Sequence, residues 1–238
     1  MENLPKSQQL KKFLINNLEK CAIQGRDGGE RLEFPDFELF PFDYLEYAEA
    51  ELANLEESDN KKINCVSHIK RAIECELDSF LYALGLSKFI KPDNFPVKTE
   101  WIEGMGIFTP RSLRKLNTIR NEVEHEYSIP KIQNIELYFE LASAFIHTLE
   151  GFLIIANDNQ GVWWQSRESK KNFDEIFFAM NYETKNSVLT FEIEKNTSLI
   201  FEPSNKDEFL FGMRAYFLLS RFASDLVDDS YVIRNISK

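Results

Sequence analysis

The sequence predicts a mainly α protein: an antiparallel four-helix bundle with an N-terminal helical extension and a small C-terminal α+β region. Long segments carry apolar residues three or four positions apart, prolines and glycines separate these segments, and strand-like alternation appears only near the C-terminus. With 43% hydrophobic residues, the 238-residue chain can build a core. We predict two domains, a helical one over 1–158 and an α+β one over 159–238.

Apolar spacing predicts the extension and the first two bundle helices. The extension is a helix over 5–23, and a glycine-rich loop over 25–30 follows it. The bundle begins with a helix over 42–55, which is rich in Ala, Leu and Glu. The next helix, over 61–84, has one continuous apolar stripe: Ile63, Val66, Ile69, Ile73, Leu77, Phe80, Leu81 and Leu84.

The other two bundle helices lie on either side of Pro130. They are preceded by a predicted loop that contains Pro92, Pro96, Gly104 and Gly106. One helix starts at Thr109-Pro110, since proline suits the first helical position, and it ends before Pro130. The last bundle helix covers 132–156. Four such helices indicate an antiparallel bundle.

A polar linker over 157–161 opens the C-terminal region. Apolar and polar residues alternate over 187–194 and again over 198–202, which predicts a β-hairpin, and a helix over 206–226 follows. Trp163 and Trp164 are interpreted as buried aromatics of this region. A base-stacking or partner-binding site is the alternative.

Charge and cysteine content limit the classes of function. A formal net charge of −11 argues against wide, non-specific nucleic-acid binding, yet residues 88–131 carry eight basic and six acidic residues, a net of +2. The three cysteines form no C-x-x-C pair, so no disulfide framework or metal site is predicted. No signal peptide is evident, and the apolar run over 152–156 is too short to span a bilayer, so we expect a cytoplasmic protein without membrane contact.

Residues 120–127, RNEVEHEY, place Arg, His and Tyr in the pattern R-x-x-x-x-H-x-Y. A cation that stabilises phosphate charge and an imidazole that moves a proton are the groups needed to cut RNA without a metal. Arg120 and His125 are about 140° apart on a helix, so one helix alone makes a poor catalytic pair, and a twofold-symmetric dimer could unite them. Asn121 precedes His125 by one turn and could orient its imidazole.

This motif on a late helix of a bundle resembles the HEPN superfamily, which includes many toxin-like ribonucleases. The resemblance covers residues 36–157 and implies a HEPN-like antiparallel four-helix bundle. It implies that paired protomers cleave an RNA substrate through attack of the ribose 2′-OH, with neither metal nor cofactor. His125 would act as general acid or base, and Arg120 would stabilise the transition state. Tyr127 matches a tyrosine that a partner nucleotidyltransferase modifies with AMP in some toxins, so an antitoxin or nucleotidyltransferase partner is expected.

Other interpretations stay open. The chain could be a non-catalytic HEPN module that binds a nucleotide or a partner, or an interaction protein whose acidic surface docks a basic partner. Arg120 could pair with Glu124 on a solvated face. His68 is interpreted as a surface or capping residue, with a place in the cleft as the alternative, and His147 as structural. A solvated face is predicted for the three acids Glu74, Glu76 and Asp78.

Overall fold

The computed structural model describes residues 4–53, 58–108, 111, 114–115, 118, 121, 129, 131–167, 177–193 and 197–236. Within these residues the helices with defined bounds are α1 Lys6–Asn17, α2 Pro41–Leu52, α3 Asp59–Ala83, α4 Phe95–Gly104, α5 Ile132–Asp158, α6 Lys206–Ala223 and α7 Asp229–Ile236. The strands are β1 Cys21–Asp27, β2 Gly161–Ser166, β3 Phe178–Glu183, β4 Val188–Ile193 and β5 Thr197–Phe201.

The predicted fold class, a mainly α four-helix bundle, is wrong, because the fold is mixed. The five strands form one antiparallel sheet in the order β1-β2-β3-β4-β5. The error begins at the N-terminus, where the predicted helix over 5–23 stops at Asn17 and β1 takes residues 21–27. The predicted hairpin is confirmed as β4 and β5, but it is only part of this larger sheet.

Pairing of β1 with β2 joins an N-terminal segment to the strand that follows α5. The register runs from Cys21 opposite Ser166 to Asp27 opposite Gly161, with one irregularity between Ile23 and Gly25. β1 precedes the domain boundary that we predicted at residue 158, and β2 follows it. The division into domains at 158 stays a prediction, but strand pairing crosses it.

The inner face of the sheet is a stack of aromatic rings. Trp164 lies on Phe178 with ring centroids 4.7 Å apart, and Phe178 also contacts Phe13 of α1 at 5.3 Å. These rings are buried, as are Phe191 and Phe201. Burial of large aromatic rings is the main apolar contribution here. Because Phe13 belongs to α1, the N-terminal helix is part of the same core.

Helices α2, α3 and α5 pack against one another and agree with three of the predicted bundle helices. The predicted loop through Pro92 and Pro96 is wrong in part, because α4 covers 95–104. Asn94 caps α4, since its Oδ1 accepts a hydrogen bond from the Val97 N–H at 3.1 Å. Proline is tolerated in a first helical turn, so Pro96 is compatible with this helix.

Helix α5 is long and apolar enough to cross a bilayer by length and composition, over Asn134–Asp158. One third of its most apolar window is buried in the protein, at 33%. The buried positions repeat at helical spacing and face the core: Ile135, Tyr138, Ala142, Phe145, Ile146 and Leu149. Core helices meet the same criteria of length and composition, so the absence of membrane contact stays a prediction.

Two contacts of α1 hold it against the C-terminal region. Ser7 donates hydrogen bonds to the Glu208 carboxylate through its backbone N–H at 2.8 Å and its hydroxyl at 2.6 Å. Lys6 Nζ donates to the Ile200 carbonyl of β5, which is an edge strand, at 2.6 Å. The start of the described chain is therefore bound to α6 and to the sheet edge.

Helix α6 approaches the sheet closely at Gly212, and this predicts an effect on stability. A Cβ at Gly212 would lie 2.9 Å from Phe201 Cγ and 3.2 Å from Leu189 Cδ2. We expect Gly212→Ala to lower the free energy of unfolding by about 1–3 kcal/mol because the buried rings cannot move freely. Chemical denaturation measures the change.

The matched control is Gly151→Ala on α5, where an added Cβ meets nothing within 4 Å. Only helix propensity changes there, so we expect stabilisation by up to about 1 kcal/mol. Two changes of the same sign and size would contradict the close packing of α6 on the sheet.

Candidate functional site

Of the four residues predicted for catalysis or modification, only Asn121 is described. It is helical and exposed. Arg120, His125 and Tyr127 lie outside the described residues, so their separation and burial stay predictions. The candidate site is therefore built from Asn121, from the helical residues around it, and from the elements before and after this segment.

The described residues ahead of Asn121 form an exposed cationic strip. Arg111, Arg114, Lys115 and Thr118 are all helical and exposed, like Asn121. Thr118 Oγ1 donates to the Arg114 carbonyl at 3.0 Å, a bond across one helical turn. At about 100° per residue these five positions share an arc of about 120°. Three cations thus stand on the same helical face as Asn121.

Helix α3 carries a buried carboxylic acid, Glu76, which is 3% exposed. Burial and then the charge of Glu150 on α5 raise the pKa of Glu76 from 4.5 to about 8. Its Oε1 accepts no hydrogen bond from the part of the chain that the structure describes. The predicted solvated face is thus wrong for Glu76. Glu76 lies three residues after Ile73 and four before Phe80, and this helical spacing could have revealed a core position.

The two described histidines lie at the packed helices. His68 of α3 is half-buried, with its ring 5.6 Å from that of Tyr47, and burial followed by the charge of Arg71 lowers its pKa. Its Nδ1 is buried and has no hydrogen-bond partner among the described residues. His147 of α5 is exposed, 5.2 Å from the Phe42 ring, so its predicted structural role amounts to a surface contact. Neither position tests a catalytic role.

A cationic cavity of about 260 Å³ lies among the end of α4, α5, α6 and α7. Its described lining contains two guanidinium groups and no carboxylate: Met105, Gly106, Phe152, Arg214, Phe217, Leu218, Arg221, Tyr231 and Asn235. Arg214 Nη2 donates to the Gly104 carbonyl at 3.1 Å, while its buried Nε has no acceptor among these described residues. An anion with an apolar part would fit this lining.

The ring of Tyr231 lies close to two guanidinium groups, those of Arg221 and Arg234. The guanidinium of Arg221 lies 5.3 Å from the centre of its ring, and that of Arg234 lies 5.7 Å away. Gly106, with φ of +73°, lies so close to Arg214 that a Cβ would stand 3.1 Å from Nε. This cavity could not be predicted from the sequence, because Arg214 and Arg221 of α6 meet residues of α4, α5 and α7 only in the folded chain.

No cluster of three or more metal-ligating side chains occurs in the described part of the chain. Comparison of the chain with protein-family models, with curated proteins and with solved structures finds no match.

Protonation of Glu76 predicts a pH-dependent stability. Because its pKa in the folded protein, about 8, lies above the unfolded value near 4.5, the native state holds the proton more tightly. The stability that it contributes is complete below pH 4.5 and is lost as the pH rises through 8. As the pH rises, the native sequence should lose roughly 2 to 4 kcal/mol of its free energy of unfolding through this group. We expect Glu76→Gln to abolish this loss, and denaturation at a series of pH values measures it.

Two further variants make this measurement specific. Glu150→Gln removes the neighbouring charge and should move the pH-dependent loss toward lower pH. Glu140→Gln changes an exposed carboxylate on α5, the helix that carries Glu150. This control should have the same dependence of stability on pH as the native sequence. A Glu76→Gln profile that still falls between pH 5 and 8 would show that another group titrates.

Proposed function

We propose that this protein is a metal-independent endoribonuclease of the HEPN type that acts as a homodimer in the cytoplasm. The observation that carries the proposal is the R-x-x-x-x-H-x-Y pattern at residues 120–127, together with an exposed cationic strip on the same segment. Arg111, Arg114 and Lys115 provide phosphate-binding charge in a chain whose net charge is otherwise strongly negative. Because RNA is negatively charged, an acidic protein that cuts it needs a local patch of positive charge.

The proposed reaction is transesterification within the RNA strand. An imidazole from His125 takes the proton of the ribose 2′-OH, and the 2′ oxygen bonds to the adjacent phosphorus. Arg120 stabilises the negative charge that accumulates on the phosphate oxygens. The bond from phosphorus to the 5′ oxygen breaks, and that oxygen takes a proton from the histidine of the second copy. The products are a cyclic 2′,3′-phosphate and a free 5′-hydroxyl.

The biological role that we propose is a toxin or an antiphage-defence effector. Such an enzyme needs a means of silencing, and Tyr127 is the proposed acceptor of AMP from a nucleotidyltransferase partner. Added AMP would place a negative charge and a bulky base two residues from His125. An antitoxin that binds the protein is the other proposed partner.

The first test is cleavage of single-stranded RNA by the purified chain in excess EDTA. We expect cleavage without metal, and we expect Arg120→Ala and His125→Ala each to lower kcat by about 10²- to 10⁴-fold. The matched controls are Arg31→Ala and His147→Ala, which remove exposed residues of the same types outside the motif. Full activity in both motif variants, or strict dependence on Mg²⁺, would overturn the proposal.

The cationic strip predicts how RNA affinity depends on salt. Replacing Arg111, Arg114 and Lys115 together by Ala should weaken RNA binding. It should reduce the salt dependence of log K by about 0.7 per lost phosphate contact. At saturating RNA, kcat should stay near that of the native sequence, because the strip binds the strand and performs no proton transfer. Fluorescence anisotropy at several salt concentrations checks the slope, and an unchanged slope would remove the strip from the RNA path.

A non-catalytic nucleotide-binding module is the second candidate function, and the cationic cavity favours it. The guanidinium groups of Arg214 and Arg221 suit a phosphate, and Phe152, Phe217 and Tyr231 suit a base. This candidate predicts that a mononucleotide binds, that Arg221→Ala weakens binding, and that no RNA is cleaved under any condition. Calorimetric titration with AMP beside the cleavage assay separates the two functions.

A further inference from the structure

A cavity of about 530 Å³ lies on the sheet face opposite the aromatic core. Trp163 forms part of it, while its neighbour Trp164 points into the core, because successive strand residues face opposite sides. The prediction of two buried tryptophans therefore holds for Trp164 only. This size lies within the range of ligand-binding pockets.

The indole of Trp163 is held in place by small neighbours on both adjacent strands. Its register partners are Gly25 on β1 and Ala179 on β3. A Cβ at Gly25 would stand 2.7 Å from three atoms of the indole, so the ring lies directly over the Gly25 backbone. The opposite face of the ring is the one available to the cavity. This arrangement provides a fixed aromatic surface.

The charge around this ring is negative. Four carboxylates line the cavity, from Asp27, Glu30, Glu183 and Glu192, against one ammonium group, from Lys185, for a formal net of −3. Lys185 Nζ is 2.5 Å from Glu30 Oε2, and both side chains are largely exposed. Exposed ion pairs of this kind contribute little to stability, so Glu30 can exchange partners.

Polar side chains complete the lining. Asn181, Gln160 and Thr190 add amide and hydroxyl groups around the ring. Carboxylates would repel a nucleic-acid backbone, whereas an aromatic face together with carboxylates attracts a cation. A guanidinium fits best, because it is planar enough to stack on an indole and can donate paired hydrogen bonds to a carboxylate.

We propose that this cavity binds an arginine side chain from a basic segment of a partner protein. The guanidinium stacks on Trp163 and bonds the surrounding carboxylates. Glu192 is one of these carboxylates, and it lies on β4 in the same register row as Trp163, with only the small Ala179 between them. This partner site is separate from residues 120–127 and does not depend on RNA cleavage. It gives the acidic character of the chain a specific role in recognition.

The test is calorimetric titration of the full chain with a short soluble peptide that contains one central arginine. Peptides with citrulline or lysine in place of that arginine serve as comparisons. Citrulline keeps the shape and removes the charge. We expect the arginine peptide to bind, the citrulline peptide to bind at least about tenfold more weakly, and added salt to reduce the difference.

Variants of the protein locate the binding site. Glu192→Gln and Trp163→Ala should each weaken the arginine peptide by about tenfold, and Trp163→Phe should weaken it less because it keeps an aromatic ring. Glu46→Gln removes an exposed carboxylate from α2, outside the cavity, and should leave affinity unchanged. Because Glu192 is exposed, its variant should fold even if Trp163→Ala does not.

The outcomes that overturn the proposal are specific. Equal binding of the arginine and citrulline peptides would show that charge is not recognised. Equal losses of affinity for the arginine peptide in Glu46→Gln and Glu192→Gln would show that a basic peptide is attracted to the acidic protein in general. Absence of any binding at millimolar peptide would remove the site. An RNA oligonucleotide whose affinity falls in Trp163→Phe and Glu192→Gln would assign the sheet face to nucleic acid instead.

Discussion

The rest of the fold depends on the antiparallel pairing of β1 with β2. β1 lies between α1 and the helical region, and β2 directly follows α5, so their hydrogen bonds connect the two ends of the α2–α3–α5 packing. The same pairing sets Gly25 under Trp163 and continues the sheet as far as β5. One strand pair thus fixes the core on one face of the sheet and a cavity on the other.

Charge is segregated within a chain whose net charge is −11. Helices hold the exposed cations Arg111, Arg114 and Lys115 and the cavity lined by Arg214 and Arg221. The sheet holds a cavity lined by four carboxylates. A phosphate would therefore be attracted to the arginines of the helices, and a guanidinium to the carboxylates of the sheet. Such separation lets one acidic protein use electrostatics with two classes of partner.

The helices with continuous apolar stripes could be predicted from sequence, because α3 and α5 have regular spacing that continues for many turns. β1 could not, since Leu18 and Cys21 continue the helical spacing of α1 and the partner strand is distant in sequence. α4 was missed although Asn94 and Pro96 mark a helix start, because the prolines were interpreted as a loop. Such features depend on tertiary context, which local patterns report poorly.

The candidate site divides in the same way. A short motif can be recognised from residue order alone, so the roles of Arg120, His125 and Tyr127 are predicted from the sequence. Burial of Glu76 required the packing of several helices. Arg214 and Arg221 lie two turns apart on α6, so the face that they share could have been recognised from the sequence, but the cavity beside it could not. Trp163 and Trp164 are adjacent in sequence and perform different tasks, which the period of two in a strand explains once β2 is known.

The bond from Lys6 to the Ile200 carbonyl has a consequence for self-association. β5 ends the sheet, and an unprotected edge strand is a template on which another chain can add a strand. Here an ammonium group already occupies one edge carbonyl, and an incoming strand would have to displace it and face its charge. The N-terminal helix thereby hinders strand addition along β5, one of the two edges of the sheet.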